Sequence, residues 1–302
     1  MRRSTLLFGG RLCALAGALG LMVSCTKGAP FKASWSTSRV ALDVRADELE
    51  RVGLVESAAR AWFEKRLREE GFVQGVDVRE ASASWSVEVV VSLQADEEST
   101  DATGFQFDLE MSEKNSGTHF KDSRIEVWKT TPQTPVEEPR ALVQPAYESG
   151  IAQASRFARA LAQGLARPSE VLVRALGSND SAEREAALQI LTVRKHSAVF
   201  HVWAERLKES NPLTVRRAIG ALVELGDVRA APLVIEASRA RDEVFQREVV
   251  FAIGAIGGDE AEAYLYTVAQ GHESALLRKS ADLALSELRT RHSRRDGGSD
   301  RP

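Results

Sequence analysis

Arg216-Arg217-Ala218-Ile219-Gly220-Ala221-Leu222-Val223-Glu224-Leu225-Gly226-Asp227 is answered one period later by Arg247-Glu248-Val249-Val250-Phe251-Ala252-Ile253-Gly254-Ala255-Ile256-Gly257-Gly258-Asp259. Each stretch has apolar residues at helical spacing and ends in a glycine-acid turn. A second amphipathic segment follows, Ala230 to Ala240 in one case and Ala261 to Gln270 in the other. Working outward, Arg184-Glu185-Ala186-Ala187-Leu188 and Arg278-Lys279-Ser280-Ala281-Asp282 open comparable segments, so Arg184, Arg216, Arg247 and Arg278 recur at intervals of 32, 31 and 31 residues. A helix pair this short cannot bury its apolar stripe alone, which predicts one continuous core built by stacking units side by side. Ile190, Leu222 and Ile253 are expected to fill one layer of that core, while Ala187, Ala218, Gly220, Ala252, Gly254 and Ala281 let the helices approach closely. The first and last units lack the Gly-Asp turn, as terminal units do. The repeated arginines admit two readings: a ladder pairing with the turn acids Asp227 and Asp259, or a row of guanidinium groups facing an acidic partner.

Over residues 169–290 this pattern resembles the short HEAT-like repeats that also occur in relatives of the bilin lyases. The resemblance implies an all-α solenoid whose ordinary work is protein binding. It also leaves a lyase-type enzyme as an alternative. Beyond the repeats, 291–302 reads as a disordered basic tail.

The front half has a different period. Val40, Leu42 and Val44 alternate with Ala41 and Asp43 as in a half-buried strand, and Asp47 with Glu50 forms a capping-box pattern before a stripe of Leu49, Val52, Val55, Ala59, Trp62, Phe63 and Leu67 that Gly71 terminates. Trp85, Val87, Val89, Val91 and Leu93 mark a second strand, and Phe105, Phe107, Leu109 and Met111 a third. Asn115-Ser116-Gly117 turns the chain into a fourth, from Phe120 to Trp128. Pro132, Pro135 and Pro139 mark a loop, with Pro145 in the first turn of a helix carrying Tyr147, Ile151, Ala154, Phe157, Ala158, Leu161 and Leu165. Residues 38–166 therefore read as an α+β domain of the order strand, helix, antiparallel strands, helix. With the Phe105–Trp128 hairpin, this order resembles the small domains of penicillin-binding-protein activator lipoproteins and their curli-secretion and TolB-like relatives. That resemblance implies, as a further alternative, activation of a peptidoglycan synthase.

At the amino terminus, Arg2, Arg3 and Arg11 precede a twelve-residue apolar run, Leu12 to Val23, too short for a hydrocarbon core that takes ~20 residues. Residues 1–24 thus read as a signal peptide. Leu21-Met22-Val23-Ser24-Cys25 resembles the lipobox of bacterial lipoproteins, with Met22 in place of the usual leucine. The resemblance implies acylation of Cys25, including palmitate, and 25–37 then becomes a lipidated tether. Thr26 stands where aspartate would resemble the inner-membrane retention signal of Gram-negative lipoproteins, so an outer-membrane, periplasm-facing anchor is implied.

The composition narrows the function. With 40 Lys+Arg against 43 Asp+Glu, the net charge is −3, and loss of the three leader arginines lowers it by three more, so nucleic acid is not an expected partner. Cys13 and Cys25 are the sole cysteines. His119, His196, His201, His272 and His292 are scattered without a close ligand set, and no phosphate-binding loop or nucleophile elbow occurs, so no catalytic residue, metal ligand or cofactor is expected. The sequence predicts a lipid-anchored, non-catalytic scaffold that binds a periplasmic or envelope protein.

Overall fold

Trp85, Val87, Val89 and Val91 alternate with Ser86, Glu88 and Val90, and the first set is buried while the second is half-exposed. That one-sided burial orients a five-stranded sheet with helices on one face. The computed structural model describes residues 33–43, 54–74, 84–95, 102–127, 140–239 and 241–296, all within one compact unit. The sheet comprises β1 (Ala33–Asp43), β2 (Phe72–Gln74), β3 (Ser84–Ala95), β4 (Ala102–Glu113) and β5 (His119–Val127), in the order β2-β1-β3-β4-β5. β3, β4 and β5 are antiparallel, in a register that sets Val89 opposite Leu109 and Leu109 opposite Asp122. β1 runs parallel to both β2 and β3, so the chain must cross over between them. Helix α1 (Glu56–Glu69) is that crossover, burying Ala59, Phe63 and Leu67. Helix α2 (Arg140–Leu165) lies beside it over β4 and β5. Tyr147 joins these layers: its ring packs edge-on to Phe105, and its buried hydroxyl donates to the carbonyl of Ala59 at 3.1 Å.

The expected hairpin is present, with Gly117 at φ +67° and the buried Glu113 carboxylate accepting the Ser116 N–H at 2.6 Å. Other expectations are corrected. The first strand starts at Ala33, so residues 33–37 belong to the sheet and not to a tether. Its partners lie about forty residues away in β2 and about fifty away in β3, and no local periodicity announces them. The sheet is mixed, and the short β2 was not anticipated. The Asp47/Glu50 capping box and Trp128 lie outside the described residues. The helical stripe does not run unbroken through Val55, which is extended at φ −110°, ψ 133° immediately before α1. Pro145 sits five residues inside α2. Burial of Val143 holds that extra turn on the protein, offsetting the backbone hydrogen bond that proline cannot make.

The second half is all helix: α3 (Ser169–Ala175), α4 (Ser181–Val193), a 3-10 turn leading into α5 (Phe200–Arg206), α6 (Pro212–Leu225), α7 (Ala230–Ser238), α8 (Glu243–Ile256), α9 (Asp259–Gly271) and α10 (Ala275–Asp296). α4, α6, α8 and α10 are the first helices of successive units, each packed on the next. Each opens on a polar cap. The Asp180 side chain accepts from Ala182 N, Asn211 from Leu213 N, Asp242 from Phe245 N and Ser274 from Leu277 N. These caps satisfy helix N–H groups that would otherwise lack partners, and they set the start of each unit. Seven residues after each cap stand Ala187, Ala218, Val249 and Ala281, and eleven after stand Leu191, Leu222, Ile253 and Leu285, all buried. Gly254 permits the α8–α10 contact, since a Cβ there would lie 3.0 Å from the Ala284 Cβ. Gly220 has no such role: it is exposed, with nothing within 4 Å of a Cβ. The basic tail is not disordered from residue 291, because α10 continues to Asp296. Arg289 reaches Glu262 at 2.8 Å, and Arg291 donates to the carbonyls of Gly254 and Ala255.

α2 belongs to both halves. Gly150 meets the Phe107 ring of the sheet, and Gly164, fourteen residues on, meets Ile190 of α4. Arg194 closes the helix by donating to the carbonyls of Leu165 at 2.7 Å and Arg167 at 2.8 Å. The first repeat thus stacks on a helix that the sheet holds in place.

Candidate interaction surface

Counted from the caps, the four repeated arginines fall into two kinds. Arg184 and Arg278 lie four residues after theirs and turn back to the preceding loop, donating to Ser178 O at 2.5 Å and His272 O at 2.6 Å. Gln246, four after Asp242, does likewise with Arg241 O at 3.0 Å. Arg216 and Arg247 lie five after their caps, a further 100° around the helix, and point outward. Arg216 pairs with Glu248 of the next unit at 2.7 Å. The expected ladder to the turn acids is not formed. Asp227 is held by Arg229 two residues on, whose side-chain bonds keep its carboxyl below the usual aspartate value. Asp259 is the first residue of α9, where its charge suits the helix N-terminus. The local bonds win because a side chain two to six residues away is already near, whereas a neighbouring unit's turn is not.

Outward positions of the first helices repeat as a stripe. Two, five and nine residues after the caps, the sequence reads Leu213, Arg216, Gly220 in α6; Val244, Arg247, Phe251 in α8; and Leu276, Lys279, Leu283 in α10. All nine are exposed, Val244 at 60% and Phe251 at 41%. The same count in α4 gives Ala182, Glu185 and Gln189, of which Ala182 and Gln189 are buried. Gln189 Nε2 donates to the main-chain carbonyl of Lys121 at 3.0 Å, on the edge strand β5.

Beside that contact, charges chain the two halves together. The Asp122 side chain, 3% exposed, receives Arg217 of α6 at 2.7 Å. Arg217 also pairs with Glu185 at 2.7 Å, and Glu185 with Arg206 of α5 at 2.7 Å. Arg206 lies 4.8 Å over the Trp203 ring, whose Nε1 donates to Thr192 at 2.7 Å. Burial pushes the Glu185 carboxyl up, but the Arg206 bonds and the charge of Arg217 outweigh it and hold it below the ordinary glutamate value. None of Asp122, Glu185, Gln189, Arg206 and Arg217 stood out in the sequence as a set. Only the recurring caps Asp180, Asn211, Asp242 and Ser274 carried the register that aligns the stripe.

A groove of about 300 Å³ between α1, α2 and the start of α4 is lined by Glu70, Arg156, Arg159, Arg167, Asp180 and Glu183. Its charges largely match one another, through Arg159–Glu70 at 3.1 Å and Arg167–Glu183 at 3.0 Å. Among the described residues no three metal-ligating side chains converge and no helix is long and apolar enough to cross a membrane. His196 and His272 accept backbone N–H groups of Ala198 and Ser274, and so stabilise loops. Cys25 lies outside the described residues.

No family model matches the chain, and no curated protein matches it.

Proposed function

We propose that this protein is an outer-membrane lipoprotein, acylated on Cys25 and facing the periplasm, that works as a non-catalytic scaffold by binding an envelope protein through its HEAT-like units. The reading is carried by one observation: α6, α8 and α10 each expose an apolar residue and a cation at the same two positions, and α8 and α10 add a second apolar residue, whereas on α4 those positions hold Ala182, Glu185 and Gln189, with Gln189 bonded to the sheet. A solvated solenoid face has no need to keep Val244, Phe251, Leu276 and Leu283 in the open, and clustered exposed apolar groups mark interaction surfaces. The lipobox-like Leu21–Cys25 supports the anchor, since two or three acyl chains, at about 0.8 kcal/mol per buried CH₂, hold a protein at a bilayer. Confinement to one layer raises its effective concentration toward partners there.

The test is a photo-crosslinking amino acid at position 244 or 251 in cells. A discrete protein adduct is expected, together with membrane fractionation that Cys25→Ser abolishes. A membrane-bound chain that gives no adduct from either position would overturn the scaffold reading.

A further inference from the structure

We propose that the exposed stripe of α6, α8 and α10 holds an amphipathic helix of a partner protein, with an acidic residue at every seventh position flanked by apolar ones. This deepens the scaffold reading and rests on it. Three observations converge on that occupant.

The first is continuity with an interface the molecule already has. On α4 the positions two and nine after the cap are Ala182 and Gln189, both under 10% exposed, and Gln189 binds a β5 carbonyl while its neighbour Arg217 binds the Asp122 carboxylate. At the α4 end of this row the edge strand β5 is therefore already held by a main-chain hydrogen bond and a cation-carboxylate pair. Past Arg217, the stripe positions of α6, α8 and α10 continue the row exposed.

The second is charge. Arg216, Arg247 and Lys279 form a row of exposed cations, one per unit, with Leu213, Val244 and Leu276 along one side and Phe251 and Leu283 along the other. Among the described residues the Arg247 and Lys279 side chains make no ion pair, while Glu248 is already matched by Arg216. A cation between two apolar rows calls for an anion between two apolar rows.

The third is spacing. α6 packs on α8 and α8 on α10, and packed helices lie roughly 8–10 Å apart. Seven residues of an α-helix rise about 10.5 Å and return to nearly the same face, so acids at i and i+7 meet the unmatched Arg247 and Lys279, and one at i+14 shares Arg216 with Glu248. An extended strand fails that match, since its same-face residues recur every ~6.8 Å. Glu224, Asp282 and Glu287, also exposed on α6 and α10, break the cationic surface into separate points, which suits acids spaced one per unit and not the continuous charge of an anionic bilayer.

The experiment titrates the full-length lipidated chain, in detergent micelles, into a labelled synthetic helix with Glu at every seventh position and Leu on either side, read by fluorescence anisotropy. Saturable binding is expected, weakened at least about tenfold by Arg247→Glu and by Phe251→Ser. A peptide with Lys for Glu should bind poorly to the parent and regain affinity for Arg247→Glu. Both side chains are exposed, and unchanged circular dichroism checks that the variants fold. Absence of saturable binding, or binding indifferent to both substitutions, overturns the proposal. Self-association in sedimentation equilibrium that Phe251→Ser abolishes overturns it in favour of a second copy. Co-sedimentation with phosphatidylglycerol vesicles, lost in the same variant while the peptide does not bind, overturns it in favour of a membrane. If the peptide fails but cells still yield a protein adduct at position 251, the scaffold reading stands and only the helix chemistry falls.

Discussion

Substituting alanine for Gly150 tests whether α2 truly joins the two halves. A Cβ at that position would lie 2.0, 2.3 and 2.6 Å from three ring carbons of Phe107, where carbon-carbon contacts normally settle near ~3.5–4.0 Å. Either the ring or the helix must move by about 1.5 Å to restore that contact distance. The ring has little room, being buried with centroids 5.8 Å from Phe105 and 5.7 Å from Tyr147. The helix is pinned as well, since Tyr147 is bonded to α1 and Arg194 clamps the far end. Overpacking of such a site costs about 3 kcal/mol, the upper part of its range, and better helix propensity returns about 1, leaving a net loss of about 2 kcal/mol. Gly164→Ala is the internal control: its Cβ crowds the terminal Cδ1 of Ile190, at 2.6 Å, which can rotate aside, and meets Leu172 Cδ2 at an ordinary 3.5 Å. There the strain and the propensity gain, each about 1 kcal/mol, nearly cancel. Gly220→Ala, with open space around it, should stabilise by about 0.5–1 kcal/mol. Equilibrium urea unfolding followed by circular dichroism orders the three variants. If Gly150→Ala matches the parent, or is hurt less than Gly164→Ala, the packing of α2 on β4 described above is wrong.

Three other outcomes are expected. Arg217→Met strips the guanidinium from the buried Asp122 and should cost about 3 kcal/mol, and a double-mutant cycle with Asp122→Asn should return a coupling above about 1 kcal/mol; additive single losses would mean the pair does not couple the halves. Because the Glu185 carboxyl sits below its ordinary value when folded, the unfolded chain takes up that proton first, so its stabilisation is complete above the carboxylate range and lost as pH falls through the depressed value. The melting temperature of Glu185→Gln should accordingly fall less steeply than the parent's between about pH 5 and pH 3, and parallel profiles would count against the ion-pair chain. Asp242→Ala removes the α8 cap and should cost about 1 kcal/mol, with Asp242→Asn nearly neutral; equal losses from both would show that the side-chain oxygen is not the cap.

Much of this was legible in one dimension wherever the causes were local. Alternation in Trp85–Leu93 and Phe105–Met111, the turn at Asn115-Ser116-Gly117 and the 31-to-32-residue period all follow from side-chain direction along a single strand or helix, and the sheet and the repeating helices bear them out. The surface was harder to see. Aligning units on their arginines mixed two kinds of position, because one residue along a helix rotates the side chain by 100° and turns an outward Arg247 into a loop-bound Arg278. The caps would have supplied the right count, since hydrogen bonds tie them to the helix starts.

Period, turn chemistry and the class of each half thus belong to the chain itself, because they depend on neighbours a few residues away. The parallel partners of β1, the sharing of α2, and the choice of which units meet the sheet depend on pairings that bridge tens of residues, such as Arg217 with Asp122 and Gln189 with Lys121. No pattern along the chain encodes those pairings: they exist only once packing has brought the groups together and removed the water between them.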